Sequence, residues 1–239
     1  IAIGKGDAPQ EHWFRMARTL PERFRWQSGT PLSRVPTSGG GFTWVDDHYR
    51  WHDIDFVPSW GGSLFEALMP MLVLDESRHA PDSLGYNDRM HTLIHRRVAL
   101  EQLGYRVWGM SPSSTPGHRA YSEYGVHELG VAGYAAGVVT PHAAALALLT
   151  EPTEATRNLR KLAREFALYG DFGFYDAVNP KTGAVSPNYL CLNQAMILIA
   201  VANHLTHGSI QSHFAADPIV RNALPMLGIE HFTQSKRTN

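Results

Sequence analysis

The stretch SWGGSLFEALMP, residues 59–70, carries a single acidic residue, Glu66, among apolar, small and aromatic side chains. Its apolar positions predict a short helix that faces a core. On such a helix Glu66 either points to solvent, as on any amphipathic helix, or points into a cleft. The first arrangement is structurally ordinary, whereas the second would mark a functional site.

Helical patterns recur on both sides of this stretch and are separated by loops. In residues 87–104, for example, Met90, Leu93, Ile94 and Val98 recur at helical spacing and Gly104 is placed to end the helix. Residues 188–205 are apolar nearly all round, which predicts a helix buried on most sides. The predicted helices cover 11–20, where Pro21 interrupts, 87–104, 140–151, 153–170, 188–205 and 217–227. We therefore predict an all-α fold.

Residues 37–58 depart from the helical pattern. They combine three consecutive glycines at 39–41 with aromatic and acidic residues. This composition predicts a long inserted loop or a short hairpin whose turn lies near the glycines.

Composition limits the classes of partner. The 239 residues include 21 basic and 22 acidic side chains, for a formal net charge of -1, so nucleic acid is not an expected partner. The one cysteine, Cys191, excludes an internal disulfide and a cysteine-built zinc site. The apolar stretches are too short or too interrupted to span a bilayer, and residues 1–10 lack the pattern of a signal peptide. Because the sequence begins at Ile1, we expect a mature, trimmed or partial chain.

The thirteen histidines raise the possibility of a metal site. His91 and His95 have the i, i+4 spacing that places two ligands on one helix face. No glutamate lies between them as in a metalloprotease helix, and no third ligand can be named. We predict no metal and no cofactor.

Two loops hold most of the aromatic and polar residues that lie outside the helices. Residues 107–125 and 170–189 are rich in tyrosine, acids, glycine and proline. Long loops of this kind at helix ends are frequent sites in helical enzymes. Flat rings beside carboxylates suit sugars, since sugar C–H faces stack on aromatic rings and sugar hydroxyls bind polar side chains.

Seven segments, in order, resemble one family. They are HWFRMARTL (12–20), SWGGSLFEALMP (59–70), VWGMSPSS (107–114), YSEYGVHELG (121–130), VVTPHAAALALL (138–149), GFYDAVNP (173–180) and LNQAMILIAVAN (192–203). The chain resembles, over most of its length, the glucoamylase-like domain of bacterial endo-β-1,2-glucanases and cyclic β-1,2-glucan synthases.

The resemblance implies an (α/α)6 toroid in which inner and outer helices alternate. Twelve helices of ordinary length need more than 239 residues, so we expect residues 1–239 to form a single glucoamylase-like domain with only the later half to two thirds of the ring. A second chain that supplies the missing N-terminal helices is one expectation. The family also implies a periplasmic or extracellular location and an oligosaccharide or polysaccharide substrate.

The resemblance implies that Glu66 is catalytic, because it matches the glutamate of the family's S-W-x-G-x-x-F-E segment. Poor solvation among aromatic neighbours would keep a proton on this carboxyl, as acid catalysis requires. Glycoside hydrolysis needs a second carboxyl. In the family it is expected upstream of Ile1; within this chain Asp176 is the first candidate, followed by Asp171, Glu123 and Asp55, each of which could equally cap a helix or bind a sugar hydroxyl.

The resemblance also suggests residues that bind substrate. The expected stacking surfaces are Trp60, Trp108, Tyr121 and Tyr175, and the expected hydrogen-bond donors are Arg119, Gln194 and Arg15. An arginine paired with a loop acid is an equally good account of Arg15.

The chain departs from the family pattern at several positions. Asn193 stands where an aspartate is frequent, Ala202 where a glutamate is common, and Leu64 and Ala67 replace the usual methionine and tyrosine. The substrate therefore need not be a β-1,2-glucan. Two functions remain open, a glycoside hydrolase or transglycosylase and a non-catalytic carbohydrate-binding or assembly subunit.

Overall fold

Helices make up most of the regular structure in this computed structural model, which describes residues 1–32, 35–118 and 120–232. Within these residues the α-helices are α1 (Ala2–Lys5), α2 (Glu11–Phe14), α3 (Leu64–Leu68), α4 (Glu76–His79), α5 (Leu84–Arg97), α6 (Pro141–Leu146), α7 (Pro152–Glu165), α8 (Cys191–Leu205), α9 (Ser209–Ala216) and α10 (Pro218–Leu227). A π-helical turn, Val98–Gln102, continues α5.

The short strands form two-stranded antiparallel hairpins. They are β1 (Val35–Gly39) with β2 (Phe42–Asp46), β3 (Tyr49–Trp51) with β4 (Ile54–Phe56), β5 (Ser113–Ser114) with β6 (Tyr121–Ser122), β7 (Tyr169–Gly170) with β8 (Gly173–Phe174), and β9 (Ala177–Val178) with β10 (Val185–Ser186). The prediction of an all-α fold therefore needs correction, because the helices are joined by small hairpins. The hairpin predicted within 37–58 is present, and Gly40 and Gly41 form its turn at positive φ.

The main core lies where α3, α5, α6, α7 and α8 pack together. Helix α6 is its centre, since Ala143, Ala144, Ala145 and Leu146 are all fully buried. Three successive alanines have little side-chain volume, so neighbouring helices can approach α6 from every side.

A second, smaller apolar cluster joins the two ends of the described chain. Phe14 of α2 stacks on Phe42 and packs against Trp44, and Met226 and Leu227 of α10 complete the cluster. The cluster explains why the predicted helix 11–20 is wrong beyond Phe14.

Tertiary contacts replace helical hydrogen bonds in this segment. Trp13 and Arg18 both bind the buried carboxylate of Glu230, and Thr19 donates to Asp47. Because of these contacts the helix ends at Phe14, before Pro21.

Helix α8 is less buried than predicted. Leu192, Leu198 and Leu205 are exposed, while Met196 and Ala200 pack into the core. The helix predicted at 188–205 begins three residues later, at Cys191, and ends at Leu205 as predicted. Helix α9 was not predicted. None of the described helices is long and apolar enough to cross a membrane.

The turn before α3 depends on Gly62. Its φ of 77° lies in the left-handed region, and a Cβ there would collide with the carbonyl of Val126. Gly183 has a similar φ of 73° but nothing within 4 Å of the same position, so it isolates the effect of backbone conformation from that of close packing.

We expect Gly62→Ala to lower the free energy of unfolding more than Gly183→Ala. The left-handed conformation costs an alanine about 1–2 kcal/mol at either position. Overpacking against Val126 adds about 1–3 kcal/mol at position 62 alone. Urea denaturation of both variants measures the difference, and equal destabilisation would show that the close approach has no consequence.

Candidate functional site

Glu66 lies in the first turn of α3 and closes the turn that precedes it. Its Oε2 accepts hydrogen bonds from Ser59 Oγ at 2.9 Å, from the Gly61 N–H at 2.8 Å and from the Ser63 N–H at 3.2 Å. Ser63 Oγ in turn accepts from the Glu66 N–H at 3.2 Å, which completes a capping box. The acid is half-buried and held in one position by its own turn.

These contacts bear on the expected chemistry of Glu66. Since all three donors meet at Oε2, Oε1 is the oxygen that can face a ligand.

A second segment holds the same turn in place by backbone pairing. The Ser59 N–H donates to the Leu129 carbonyl, and the Ser59 carbonyl accepts from Val131. The pairing continues with Ala132 N–H to Trp60 carbonyl and Tyr134 N–H to Gly61 carbonyl, at 2.7 and 2.8 Å. The turn around Glu66 is thus built into a short ladder.

Two histidines of α5 support this turn from the core side. His91 Nε2 lies 2.8 Å from the Val57 carbonyl and His95 Nε2 lies 2.8 Å from the Gly62 carbonyl. A carbonyl only accepts, so each Nε2 carries a proton and donates. Both side chains are fully buried, and they anchor the two ends of the turn.

The two imidazoles are neutral because they are buried. Burial lowers the pKa of His95 to about 3, with His91 adding to the effect and the Gly62 hydrogen bond opposing it. Burial also lowers the pKa of His91, while its hydrogen bond to Val57 and the charge of Glu66 oppose the change. The i, i+4 spacing of His91 and His95 therefore lets both side chains donate hydrogen bonds to backbone carbonyls.

No group of three or more His, Cys, Asp or Glu side chains within 1–32, 35–118 and 120–232 could hold a metal ion.

Tyr134 connects Glu66 with a second carboxylate. Its hydroxyl lies 3.3 Å from Glu123 Oε1, and its ring packs directly on Gly61. Burial, followed by the charges of Glu66 and Glu123 and hydrogen bonds to both, raises the pKa of Tyr134 to about 12. Glu123 was one of the lower-ranked candidates, and the sequence offered no signal for Tyr134.

Trp60 is exposed next to this pair of acids, as a stacking surface must be. The side chain is 55% exposed, and Trp26 contacts it edge-on with ring centroids 6.0 Å apart. Sequence reasoning missed Trp26. Its position in the polar segment FRWQSGT (24–30), without apolar residues at helical spacing, could have indicated an exposed indole.

Asp176 has a different environment from the one predicted. It is only 2% exposed. Its Oδ2 accepts from the Ser114 N–H at 2.7 Å and from Ser114 Oγ at 2.6 Å, and its Oδ1 accepts from Asn193 Nδ2 at 2.6 Å. Asp176 therefore ties β5, β9 and α8 together. An aspartate in place of Asn193 would set two carboxylates against each other, so this departure from the family pattern matches the contacts of the chain.

The prediction that Trp108 stacks on substrate is wrong. The side chain is 3% exposed and belongs to the main core, and Asn158 holds its backbone N–H and carbonyl. Tyr121 on β6 is 60% exposed and lies within the field of Asp176, whose negative charge, after burial, helps to raise the pKa of Tyr121.

The remaining candidates lie in several places. Tyr175 is half-buried against Tyr189, and Gln194 uses its amide to donate to the Phe174 carbonyl at 2.8 Å. Arg15 is exposed and lines a separate cavity of about 350 Å³ with Trp44 and Asp47. Arg119 falls outside the described residues.

A mainly helical domain with a carboxylate pair beside exposed indoles has the features of a carbohydrate-active protein. Comparison with known proteins agrees with that class. Residues 37–218 match the family model described as "Putative glucoamylase". The match covers well over half of the chain, and the chain therefore belongs to this glucoamylase-like family.

Named relatives link the family to β-1,2-glucans. The chain is 31% identical, over 93% of its length, to the cyclic β-(1,2)-glucan synthase NdvB of Rhizobium meliloti (strain 1021). It is 27% identical, over 62% of its length, to an exo β-1,2-glucooligosaccharide sophorohydrolase (non-reducing end) of Parabacteroides distasonis.

A solved structure shows the same fold. The match to the β-1,2-glucanase of Parabacteroides distasonis covers 76% of the chain, with a TM-score of 0.64 and 24% identity. The chain spans 7% of the synthase, 21% of the sophorohydrolase and 27% of the glucanase chain.

The low pKa of His95 predicts that acid weakens the fold. In the unfolded chain this imidazole takes up a proton near its ordinary pKa of 6.5, whereas the folded protein resists protonation down to about 3. Unfolding therefore takes up a proton in this window, and stability falls as the pH falls from about 6.5 to about 3.

His95→Gln keeps an N–H for the Gly62 carbonyl and removes the titration. We expect its stability to fall less steeply with decreasing pH, by about one proton, than that of the wild type. The measurement is the free energy of unfolding between pH 7 and pH 4. His12→Gln, at an exposed position of α2, is the control and should leave the slope unchanged. Identical slopes for His95→Gln and wild type would contradict a neutral buried His95.

Proposed function

We propose that this domain is a glycoside hydrolase or transglycosylase that acts on a bacterial glucan, with β-1,2-linked glucan as the substrate class. The observation that supports this most directly is Glu66, held by three donors beside an exposed tryptophan and joined through Tyr134 to Glu123. The named relatives supply the linkage, since each of them is described by its action on, or synthesis of, a β-1,2-glucan.

Glu66 and Glu123 are the proposed pair of catalytic carboxyls. Glu123 accepts a hydrogen bond from the Tyr134 hydroxyl, and the negative charges of both acids act on that hydroxyl. This shared neighbour supports placing the two acids in one region of the site. Hydrolysis needs one carboxyl to protonate the departing oxygen and one to attack the sugar or activate water, at separations of about 5 to 10 Å. Asp176, enclosed by its donors, has a positioning role in this proposal.

The proposed substrate surface combines stacking rings with these acids. Trp60 offers an exposed indole face next to Glu66, and Tyr121 offers an exposed phenol on β6. Sugar C–H groups pack on such rings, while hydroxyls exchange hydrogen bonds with carboxylates and amides.

The proposed architecture is the (α/α)6 toroid of the family, of which the described helices form a part. The similarity in fold to the glucanase structure supports it, as does the small share of that protein that the chain spans. Helices from elsewhere in the protein, or from a second chain, would complete the ring and cover the exposed leucines of α8.

Glu66→Gln tests the catalytic proposal. We expect a loss of about 10²- to 10⁴-fold in kcat/KM for linear β-1,2-glucan, because the amide cannot exchange a proton or attack. Reducing-sugar release is the measurement. The amide oxygen still accepts from Ser59, Gly61 and Ser63, so the melting temperature should change little. Glu101→Gln, at an exposed glutamate, is the control.

Activity that is equal in Glu66→Gln and wild type would remove Glu66 from the mechanism. If the wild type binds glucan but releases no reducing sugar, the non-catalytic binding subunit is the correct function instead.

Glu123→Gln tests the second carboxyl. We expect a loss of the same order as for Glu66→Gln, together with a shift of one limb of the pH–rate profile. Tyr134→Phe should alter the profile with a smaller loss, because it removes the shared hydroxyl and keeps both acids. A wild-type rate and profile in Glu123→Gln would exclude it as the partner of Glu66.

A further inference from the structure

Two exposed indoles lie side by side near Glu66, and this pairing is unusual in the described chain. Trp26 is 56% exposed and Trp60 is 55% exposed, whereas Trp44, Trp51 and Trp108 are buried. Phe24 extends the series, with its ring centroid 6.1 Å from that of Trp26. An indole is a large apolar surface, and leaving two together in solvent is unfavourable unless something covers them.

The segment that carries Trp26 is fixed to the same ladder as the turn around Glu66. The Ser28 N–H donates to the Val131 carbonyl at 2.8 Å, and Ser28 Oγ donates to the Gly130 carbonyl. Val131 in turn donates to the Ser59 carbonyl at 2.8 Å. Trp26 and Trp60 therefore extend from adjacent segments that share one anchor, which sets their relative position.

Further contacts fix the segment from its other side. Gln27 Nε2 donates to the Pro21 carbonyl at 3.1 Å, and Gln27 accepts from the Tyr49 hydroxyl. Gly29 lies against the Tyr49 ring so closely that a Cβ would be 2.7 Å from it. The contacts of Gln27, Ser28 and Gly29 fix the backbone next to Trp26, so the position of Trp26 does not depend on a ligand.

The two indoles meet at an angle of 63°. This arrangement makes a corner, so that a sugar ring stacked on one indole has its edge against the other.

We propose that Trp26 and Trp60 together form a subsite for a glucosyl unit of the substrate that lies beyond the units next to Glu66. This inference rests on the proposed function. Because Trp60 lies between Ser59 and Gly61, which both bind Glu66, Trp26 is one ring further from the reacting bond. Trp26 therefore determines preference for longer chains and takes no part in bond cleavage.

The test compares substrates of two lengths in wild type, Trp26→Ala and Trp26→Phe. For long linear β-1,2-glucan we expect Trp26→Ala to raise KM about tenfold, the equivalent of about 1.4 kcal/mol of binding, with kcat nearly unchanged. For a short oligosaccharide that ends before the subsite, KM should not change. Trp26→Phe should restore most of the affinity, because it retains an aromatic face. Leu100→Ala, at an exposed apolar position of the π-helical turn after α5, is the control and should behave as wild type.

A binding measurement separates this inference from the proposed function. Quenching of tryptophan fluorescence by long β-1,2-glucan is measured in a Glu66→Gln background, with and without Trp26→Ala. Weaker binding on loss of Trp26, even if the wild type proves inactive, supports the subsite and contradicts only the catalytic proposal. Equal binding with and without Trp26, no binding at all, or an equal KM change for short and long substrates would overturn the subsite.

Discussion

The turn at residues 59–63, closed around the carboxylate of Glu66, is the constraint on which the rest of the site depends. Three donors converge on one oxygen, and this requires Gly62 to take a left-handed conformation and Gly61 to lie under the ring of Tyr134. The turn also places Trp60 in solvent and sets the direction of α3. Local sequence alone would not hold such a turn. It persists because the ladder at residues 126–134 and the two histidines of α5 bind its backbone from both sides.

Neutral histidines suit this task for an electrostatic reason. Each donates one hydrogen bond to a carbonyl without placing a positive charge beneath Glu66. A lysine or arginine in the same position would need a buried counter-charge and would compete for the carboxylate. Burial keeps both imidazoles uncharged. The side chains that support the turn, His91 and His95, are therefore neutral, whereas the candidate reactive groups, Glu66 and Glu123, are acids.

Periodic features of the fold were predictable from sequence, and those that depend on distant packing were not. The helix predicted at 87–104 follows from the spacing of its apolar residues, although α5 begins earlier, at Leu84, and a helix is present in the predicted span 217–227. The hairpin near Gly39 follows from its glycines. The helix at 11–20 failed because Glu230, more than two hundred residues away, binds Trp13 and Arg18. The same limit applies to the site. Glu66 was identified from its motif, but which tryptophan is exposed, Trp26 or Trp108, depends on tertiary contacts that no local pattern records.

Under the proposed function, the capping box gives Glu66 two roles that are usually carried by different residues. Active-site acids are commonly poorly satisfied in the folded protein, and their removal tends to increase stability at the expense of activity. Here the same carboxylate accepts from the N–H groups of Gly61 and of Ser63, the N-cap of its own helix, so a side chain without an acceptor at this position would weaken the fold as well. Under that proposal, catalysis and stability each favour an acceptor at position 66. A descendant that gave up catalysis would still be under pressure to keep an acceptor at this position, so glutamate or glutamine should persist there long after the reaction has disappeared.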